Sequence, residues 1–195
     1  ARQWLKPMTH NPVRFVSIDR GSVWVGVAIW EVAEDQQSIT VVHAMTLDLS
    51  RLARMHHEAF TEVHGDRGGR LHALTSTLCH LFDVWRPVAV CSEAPYSSKH
   101  PQAFEALVES LSAIREALRA YDIAISLKTI DPSTIKNGVG VKGNSGDKEL
   151  MRAAIQRQPH LILPIEVSSL SEHAVDAIAV GYAYYKSTLA PGVLW

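Results

Sequence analysis

Four side chains in this sequence have types and positions that suit the binding of a divalent cation. Asp19 and Glu93 each end an apolar segment, and a glycine and a proline, respectively, follow two residues later. His173 and Asp176 lie three residues apart in a segment with helical periodicity, which places them on one face of a helix. If the two apolar segments are neighbouring parallel strands, both carboxylates project from the sheet edge at which open α/β sheets place their sites.

The chemistry expected of such a cluster is phosphodiester hydrolysis. Converging carboxylates repel one another unless a cation neutralises them. Mg²⁺ suits a few oxygen ligands, because it keeps several waters and completes its shell with substrate phosphates. Two such ions, about 3.5–4 Å apart, stabilise the attacking and leaving oxygens of phosphodiester cleavage. Each acid alone could be a turn or cap residue, but acids that end buried strands are costly without a partner.

An imidazole in the cluster has two further consequences. Nitrogen ligands favour Mn²⁺ over Mg²⁺ in the affinity order of divalent metals, so Mn²⁺ is expected to support activity at least as well. Either ligation or base action requires the neutral imidazole of His173. Activity is therefore expected to fall as the pH drops through the range in which imidazole titrates, about 6.5.

The hydrophobic pattern predicts an α/β fold that would bring these residues together. Predicted strands lie at residues 13–19, 22–31, 39–47, 88–93 and 123–130, and predicted helical segments at 52–63, 71–85, 101–118, 147–158 and 171–186. Three antiparallel strands followed by strand–helix alternation predict one mixed five-stranded sheet with helices on both faces. Residues 1–12 are expected to be an N-terminal arm, 13–190 a single domain and 191–195 a tail.

The composition sets limits on the class of protein. The chain has 195 residues, of which 47% are hydrophobic and 20% charged, so a disordered protein is excluded. The net charge is −1, so a nucleic-acid surface must be a local patch. The two cysteines lack metal-binding spacing and are expected to be reduced thiols. No apolar run is long enough for a membrane span, so we expect a soluble cytoplasmic protein without a membrane partner.

Four stretches of the sequence resemble a known family. They are "FVSIDRGSVWVGVAIWE", "VAVCSEAPYSSKHPQAF", "IKNGVGVKGNSGDKELM" and "SEHAVDAIAVGYAYY". In this order they resemble the RuvC Holliday-junction resolvases of the ribonuclease H-like superfamily, over most of residues 13–187. The resemblance matches Asp19, Glu93 and Asp176 to the acids of the first strand, fourth strand and final helix of the family. His173 stands where many members have another acid and some have histidine.

The resemblance implies a ribonuclease H-like nuclease domain that acts as a homodimer on four-way DNA junctions. Such a crossover junction endodeoxyribonuclease would take part in DNA recombination and repair by nicking two opposed strands symmetrically. A two-fold dimer suits a junction that presents two equivalent strands. One flank of helix 101–118, with Ala103, Ser110 and Ala117, could face the partner subunit. The helicase partner, the preferred cleavage sequence and a viral or cellular origin stay open; a viral chain would act in the host cytoplasm, and a cellular one near the nucleoid.

The sequence departs from the family at three places. Arg20 stands where the family usually has proline. Residues 48–69 are longer than the family's linker and are expected to form an inserted helix and loop. The glycine-rich helix that follows the fourth-strand acid is replaced here by Leu107–Leu118. These departures affect the expected dimer geometry and sequence preference rather than the metal site.

Two groups of residues are candidates for DNA contacts. Tyr96 matches the aromatic residue that the family inserts into the junction centre, and stacking on a splayed base is worth about 1–3 kcal/mol; Lys99 lies in the same turn. The segment 128–157 has six basic and three acidic residues, a net +3 in a chain of −1. Its glycines would let backbone N–H groups approach phosphates. The candidate phosphate contacts there are Lys136, Lys142 and Lys148, of which Lys148 best matches the family's basic position.

Other functions remain as alternatives at this level. Asp19-x-Gly21-Ser22 also resembles the first phosphate loop of actin-like phosphotransferases, which require a second such loop and usually a second domain. A non-catalytic junction-binding module and a nuclease for RNA–DNA hybrids or free DNA ends share the fold. A zinc site at His56, His57, His64 and His72 lacks the spacing and cysteines typical of such sites.

Overall fold

A six-stranded mixed sheet forms the centre of the protein, as seen in a computed structural model that describes residues 12–95, 101–141 and 148–190. The strands are β1 (Val13–Asp19), β2 (Trp24–Val32), β3 (Ile39–Asp48), β4 (Ala89–Glu93), β5 (Leu127–Ile130) and β6 (Leu161–Ile162), in the spatial order β5-β4-β1-β2-β3-β6. β1, β2 and β3 form an antiparallel meander. β4 pairs parallel to β1, and β5 pairs parallel to β4.

The prediction of three antiparallel strands followed by two parallel ones is confirmed, but the expected number of five strands is wrong. The sixth strand, Leu161–Ile162, pairs parallel to the start of β3 at the far edge of the sheet. Two residues are too short to show the alternation by which a strand is recognised in sequence. The extra strand lies at the opposite edge from β5, so it leaves the expected pairing of β1 with β4 unchanged.

Six helices cover the two faces of the sheet within the described part of the chain. They are α1 (Leu49–His56), α2 (Glu58–Trp85), α3 (Pro101–Tyr121), α4 (Pro132–Val139), α5 (Lys148–Gln156) and α6 (Glu172–Tyr184). A short 3₁₀ turn at Val167–Ser169 precedes α6, and a π-helical turn at Tyr185–Leu189 follows it. None of the helices in the described ranges has the length and apolar character needed to cross a bilayer.

Alternating strand residues divide the core into two layers. Val16 and Ile18 of β1 pack with α2 and α3 on one face, whereas Phe15 packs with α6 on the other. The helices α4 and α5 share the α6 face. Because side chains alternate along a strand, this division determines which face each residue at the end of a strand occupies.

The inserted segment 48–69 contains the expected helix but not the expected loop. α2 consists of two helical segments that meet at a kink at Gly65, where φ is 74° and ψ is 168°. The first segment ends at this glycine, which adopts positive φ at little cost, and the second begins directly after it.

The flank of α3 expected to face a partner subunit is buried in its middle and C-terminal part. Ser110 is 1% exposed and Ala117 is fully buried, whereas Ala103 in the first turn is exposed. The α3 carbonyls of Ala113 and Ala117 face α2, where Thr75 and Cys79 donate to them. Ser110 and Ala117 are therefore buried inside this chain and cannot contact a partner subunit, whereas Ala103 remains accessible.

Candidate active site

The edge at which β1 and β4 end carries both strand-end carboxylates. The parallel register pairs Ile18 with Ser92, so the next residues, Asp19 and Glu93, lie side by side. Cys91 belongs to the core layer beneath α6. Strand alternation therefore places Glu93 on the α6 face, and Asp19 shares that face, two residues beyond Ser17. The sequence prediction that these strands are parallel neighbours is confirmed.

The N-terminus of α6 brings the imidazole to this edge. Ser171 caps the helix by accepting from the backbone N–H of Ala174. In the first turn of this helix, His173 Nδ1 lies 3.0 Å from Asp19 Oδ2. The Asp19 side chain is 13% exposed and the His173 side chain 29% exposed. This histidine–carboxylate pair joins the end of β1 to α6 across 154 residues of sequence.

Gly26 makes this close approach of helix and sheet possible. It lies on β2 directly opposite Asp19 in the antiparallel register. A Cβ atom at this position would overlap the backbone carbonyl of His173 and crowd the amide of Ala174. A glycine is therefore required here for α6 to lie against β2 at the depth that lets His173 reach Asp19.

A buried hydrogen-bond chain fixes the depth and register of α6. Trp30 Nε1 donates to Ser17 Oγ at 2.7 Å, and Ser17 Oγ donates to the carbonyl of Ala177 at 2.6 Å. Gly181 leaves the space that the Trp30 indole occupies. Because Ala177 follows Asp176 directly, this chain also holds the part of α6 that carries the third carboxylate.

The three carboxyl groups share an environment that disfavours ionisation. The pKa of Asp19 is raised to about 7, mainly by burial and also by the charges of Asp176 and Glu93, whereas the hydrogen bond with His173 lowers it. Burial also raises the pKa of Glu93, against the charges of Arg20 and Lys136. The pKa of Asp176 is raised by burial, against His173 and nearby lysines and Arg152. Buried carboxylates that feel one another's charge are typical of cation sites.

The donor set fits a hard divalent cation in its chemistry. Three carboxyl groups and one imidazole, from β1, β4 and α6, interact electrostatically at one sheet edge. Within residues 12–95, 101–141 and 148–190, no group of three His, Cys, Asp or Glu side chains is arranged to hold one ion. Asp19 is instead engaged with His173.

Basic residues surround the carboxylates on the α6 face. The charges of Lys136 on α4 and of Lys148 and Arg152 on α5 reach Asp176, and that of Lys136 also reaches Glu93. Lys148 forms an ion pair with Glu172 of α6. Arg152 donates to the carbonyls of Val167 and Leu170, each at 2.7 Å, and so secures the turn that leads into α6.

Three of the predicted DNA-contact residues lie outside the described part of the chain: Tyr96, Lys99 and Lys142. The other predicted site residues are described, and the structure brings most of them to one edge of the sheet. A carboxylate oxygen of Glu172 lies 3.8 Å from His173 Nε2, and Glu172 also forms the ion pair with Lys148. It therefore connects the predicted basic position to the histidine.

Sequence reasoning missed several residues that build this site, among them Arg20, Gly26, Ser17 and Trp30. Arg20 is 6% exposed and donates to two main-chain carbonyls near the site. A charged residue directly after a strand-end acid was the available signal for Arg20. A glycine inside a strand, which weakens the strand unless another backbone approaches closely, was the signal for Gly26.

No family model matches the sequence, but one curated protein is similar to it along most of its length. A curated protein of Dehalococcoides mccartyi, "Crossover junction endodeoxyribonuclease RuvC", is 23% identical over 178 residues, which cover 89% of this chain and 92% of that protein.

Two solved structures have the same fold along most of their length. The Thermus thermophilus RuvC in complex with Holliday junction substrate superposes with a TM-score of 0.67 at 16% identity, covering 91% of this chain and 98% of that one. The yeast mitochondrial Holliday junction resolvase Ydc2 gives a TM-score of 0.60 at 14% identity, covering 90% and 78%. The chain thus has the RuvC-like, ribonuclease H-like fold, and its sequence is similar, at a distance, to RuvC along most of its length.

Proposed function

We propose that this protein is a metal-dependent endodeoxyribonuclease that resolves four-way DNA junctions by paired, symmetric nicks. The observation that carries the proposal is the position of Asp19, Glu93, His173 and Asp176 at one edge of a RuvC-like sheet. The similarity to a curated RuvC and to RuvC bound to a Holliday junction substrate supports the choice of DNA substrate.

Asp19, Glu93 and Asp176 would hold the cation, with His173 as a further ligand or as a base. Mg²⁺ or Mn²⁺, two ions per site, would supply charge neutralisation of the phosphate and an activated water. The protein keeps three carboxyl groups close together and poorly solvated. Because unpaired charges are costly in such an environment, binding of a cation is favoured. The Asp19–His173 hydrogen bond fixes the orientation of the imidazole and must rearrange if Asp19 becomes a ligand.

Cleavage is expected to slow as the pH decreases below about 7. The pKa of Asp19 is raised to about 7 in the metal-free protein, so protons compete with the cation for this carboxylate below that pH. The check is a pH–rate profile from pH 5 to 8 at subsaturating Mn²⁺; a flat profile would contradict competition between protons and the cation for Asp19.

Two copies of the chain would act together on one junction. A four-way junction has two equivalent strands, and a two-fold symmetric dimer presents two identical sites to them. This pairing is expected to produce two symmetric nicks per binding event.

The decisive experiment compares substrates. Synthetic four-way junction, linear duplex, RNA–DNA hybrid and single strand, each end-labelled, are incubated with the protein and Mg²⁺ or Mn²⁺, alongside an Asp19→Asn control. Symmetric nicks in the junction alone, absent in the control, support the proposal. Equal cutting of hybrid and junction would indicate a ribonuclease H, and junction binding by the wild type without cutting would indicate a non-catalytic binding module.

Lys136 is expected to contact a backbone phosphate beside the carboxylates. It is half-buried, and its charge reaches both Glu93 and Asp176. Loss of one phosphate contact reduces the slope of log affinity against log salt by roughly one unit. Lys136→Ala is therefore expected to flatten the salt dependence of junction binding, measured by fluorescence anisotropy in EDTA. Arg119→Ala, an exposed cation in the last turn of α3, is the matched control and should leave the slope unchanged.

A further inference from the structure

Arg20 is a buried cation next to the carboxylates that the proposed mechanism does not use. It directly follows Asp19, and only 6% of the residue is exposed. A guanidinium carries five donors in a rigid fork and keeps its charge under all ordinary conditions. Placing such a group in the interior is costly unless its donors are satisfied and opposite charge lies nearby.

The guanidinium donates two hydrogen bonds to main-chain oxygens from two different elements. Arg20 Nε donates to the carbonyl of Glu93 at 2.9 Å, and Nη1 donates to the carbonyl of Leu107 at 2.7 Å. The first acceptor is the last residue of β4, and the second lies in the interior of α3. One side chain thereby ties together the ends of β1 and β4 and the body of α3.

The acceptor positions show what this connection controls. The carbonyl of Glu93 belongs to the same residue as the second carboxylate, so a hydrogen bond to it restrains the backbone from which that carboxylate projects. Glu93 and Leu107 also flank, in sequence, the segment that carries Tyr96 and Lys99. A restraint on both carbonyls fixes the two ends of that segment relative to Asp19.

We infer that Arg20 is a positioning residue that holds the Glu93 backbone and α3 against the end of β1, so that the Glu93 carboxylate is ready to bind a divalent cation. The inference rests on the proposed function for its meaning in catalysis, but its direct test uses the metal alone. Groups that orient metal ligands typically change metal affinity or activity by about 10–100-fold when they are removed.

The direction of the change in Mn²⁺ affinity distinguishes a positioning role of Arg20 from a purely electrostatic one. Removing a positive charge beside carboxylates should, by Coulomb's law alone, make a cation bind more tightly. Loss of the two hydrogen bonds that position the Glu93 backbone should instead make the cation bind more weakly. Arg20→Gln removes the charge and one arm of the fork, whereas Arg20→Lys keeps the charge but offers one compact ammonium in place of the two-armed fork.

The experiment titrates each variant with Mn²⁺ and follows the free ion by electron paramagnetic resonance. Arg20→Gln and Arg20→Lys are both expected to weaken Mn²⁺ binding by about 10-fold. In junction cleavage both should lower kcat, with KM within about threefold of the wild-type value, because the phosphate contacts that dominate DNA affinity remain. The control is Arg14→Gln, since Arg14 also makes two side-chain hydrogen bonds on β1, to Glu31, away from the site; it should leave Mn²⁺ binding unchanged.

Tighter Mn²⁺ binding by Arg20→Gln, or wild-type binding by Arg20→Lys, would overturn the inference. If Arg20→Gln does not fold, the lysine variant decides, because it retains the buried charge. A wild-type protein that binds Mn²⁺ but cuts no junction would refute the proposed function, while the comparison of Mn²⁺ affinities would still test the role of Arg20.

Discussion

Asp19→Asn is expected to lower the rate of junction cleavage by at least about 10³-fold, because the several kcal/mol that bound metal contributes to the transition state depend on this carboxylate. Asp19 is the carboxyl group through which β1 meets His173, and it feels the charges of both Glu93 and Asp176. Junction affinity should stay within about threefold of wild type, because phosphate contacts dominate it. Single-turnover cleavage and anisotropy titrations measure the two quantities separately.

The same substitution is expected to stabilise the metal-free protein. The pKa of Asp19 is about 7 in the folded state against a reference of 3.8, so between these values the folded state binds the proton more strongly than the unfolded state. The free energy of unfolding therefore falls as the pH rises through this window, and the ionised carboxylate is destabilising above it. In EDTA, the Tm advantage of Asp19→Asn over wild type should grow between pH 4 and pH 7 and level off above. An advantage that shrinks over this range would contradict the buried position of Asp19.

Gly26→Ala is expected to abolish cleavage and to lower stability. The added methyl group would overlap the backbone carbonyl of His173, so α6 must move away from β2 and take His173 and Asp176 with it. Overpacking of this kind costs about 1–3 kcal/mol, which corresponds to a fall in Tm of roughly 2–4 °C per kcal/mol for a chain of this size. Thermal unfolding and cleavage assays well below the Tm measure the two effects.

Leu74→Ala is the matched control for the loss of stability. Leu74 of α2 is fully buried in the core layer between the sheet and helices α2 and α3, on the face of the sheet opposite α6. Its truncation should destabilise the protein by about 2–5 kcal/mol while leaving α6 against β2, so cleavage below the Tm should persist. Wild-type cleavage by Gly26→Ala would show that the close approach of α6 is not needed for the site.

Much of the sheet could be predicted from local patterns. The apolar segments that end at Asp19 and Glu93 have the length and composition of buried strands, and the apolar spacing after Leu71 indicates a helix. These signals are local, because side-chain periodicity within a short window reflects which face of an element is buried. The resumption of helix directly after the kink at Gly65, where a loop was expected, could not be predicted, because it depends on contacts with α1 and α3 that no local pattern contains.

The candidate active site likewise has features that local sequence patterns predict and features that depend on tertiary contacts. The residue types and their places at strand ends or on one helix face are properties of the sequence, and these alone point to three carboxyl groups and an imidazole at one edge of a sheet. The pairing of Asp19 with His173, the space that Gly26 provides and the fork of Arg20 between Glu93 and Leu107 depend on contacts between residues up to 154 positions apart. Such contacts are determined by how the sheet and helices pack, and no local pattern contains them. The sequence by itself therefore determined which groups are available for chemistry, whereas the tertiary structure alone decided which of them touch, how deeply they are buried and what holds them in place.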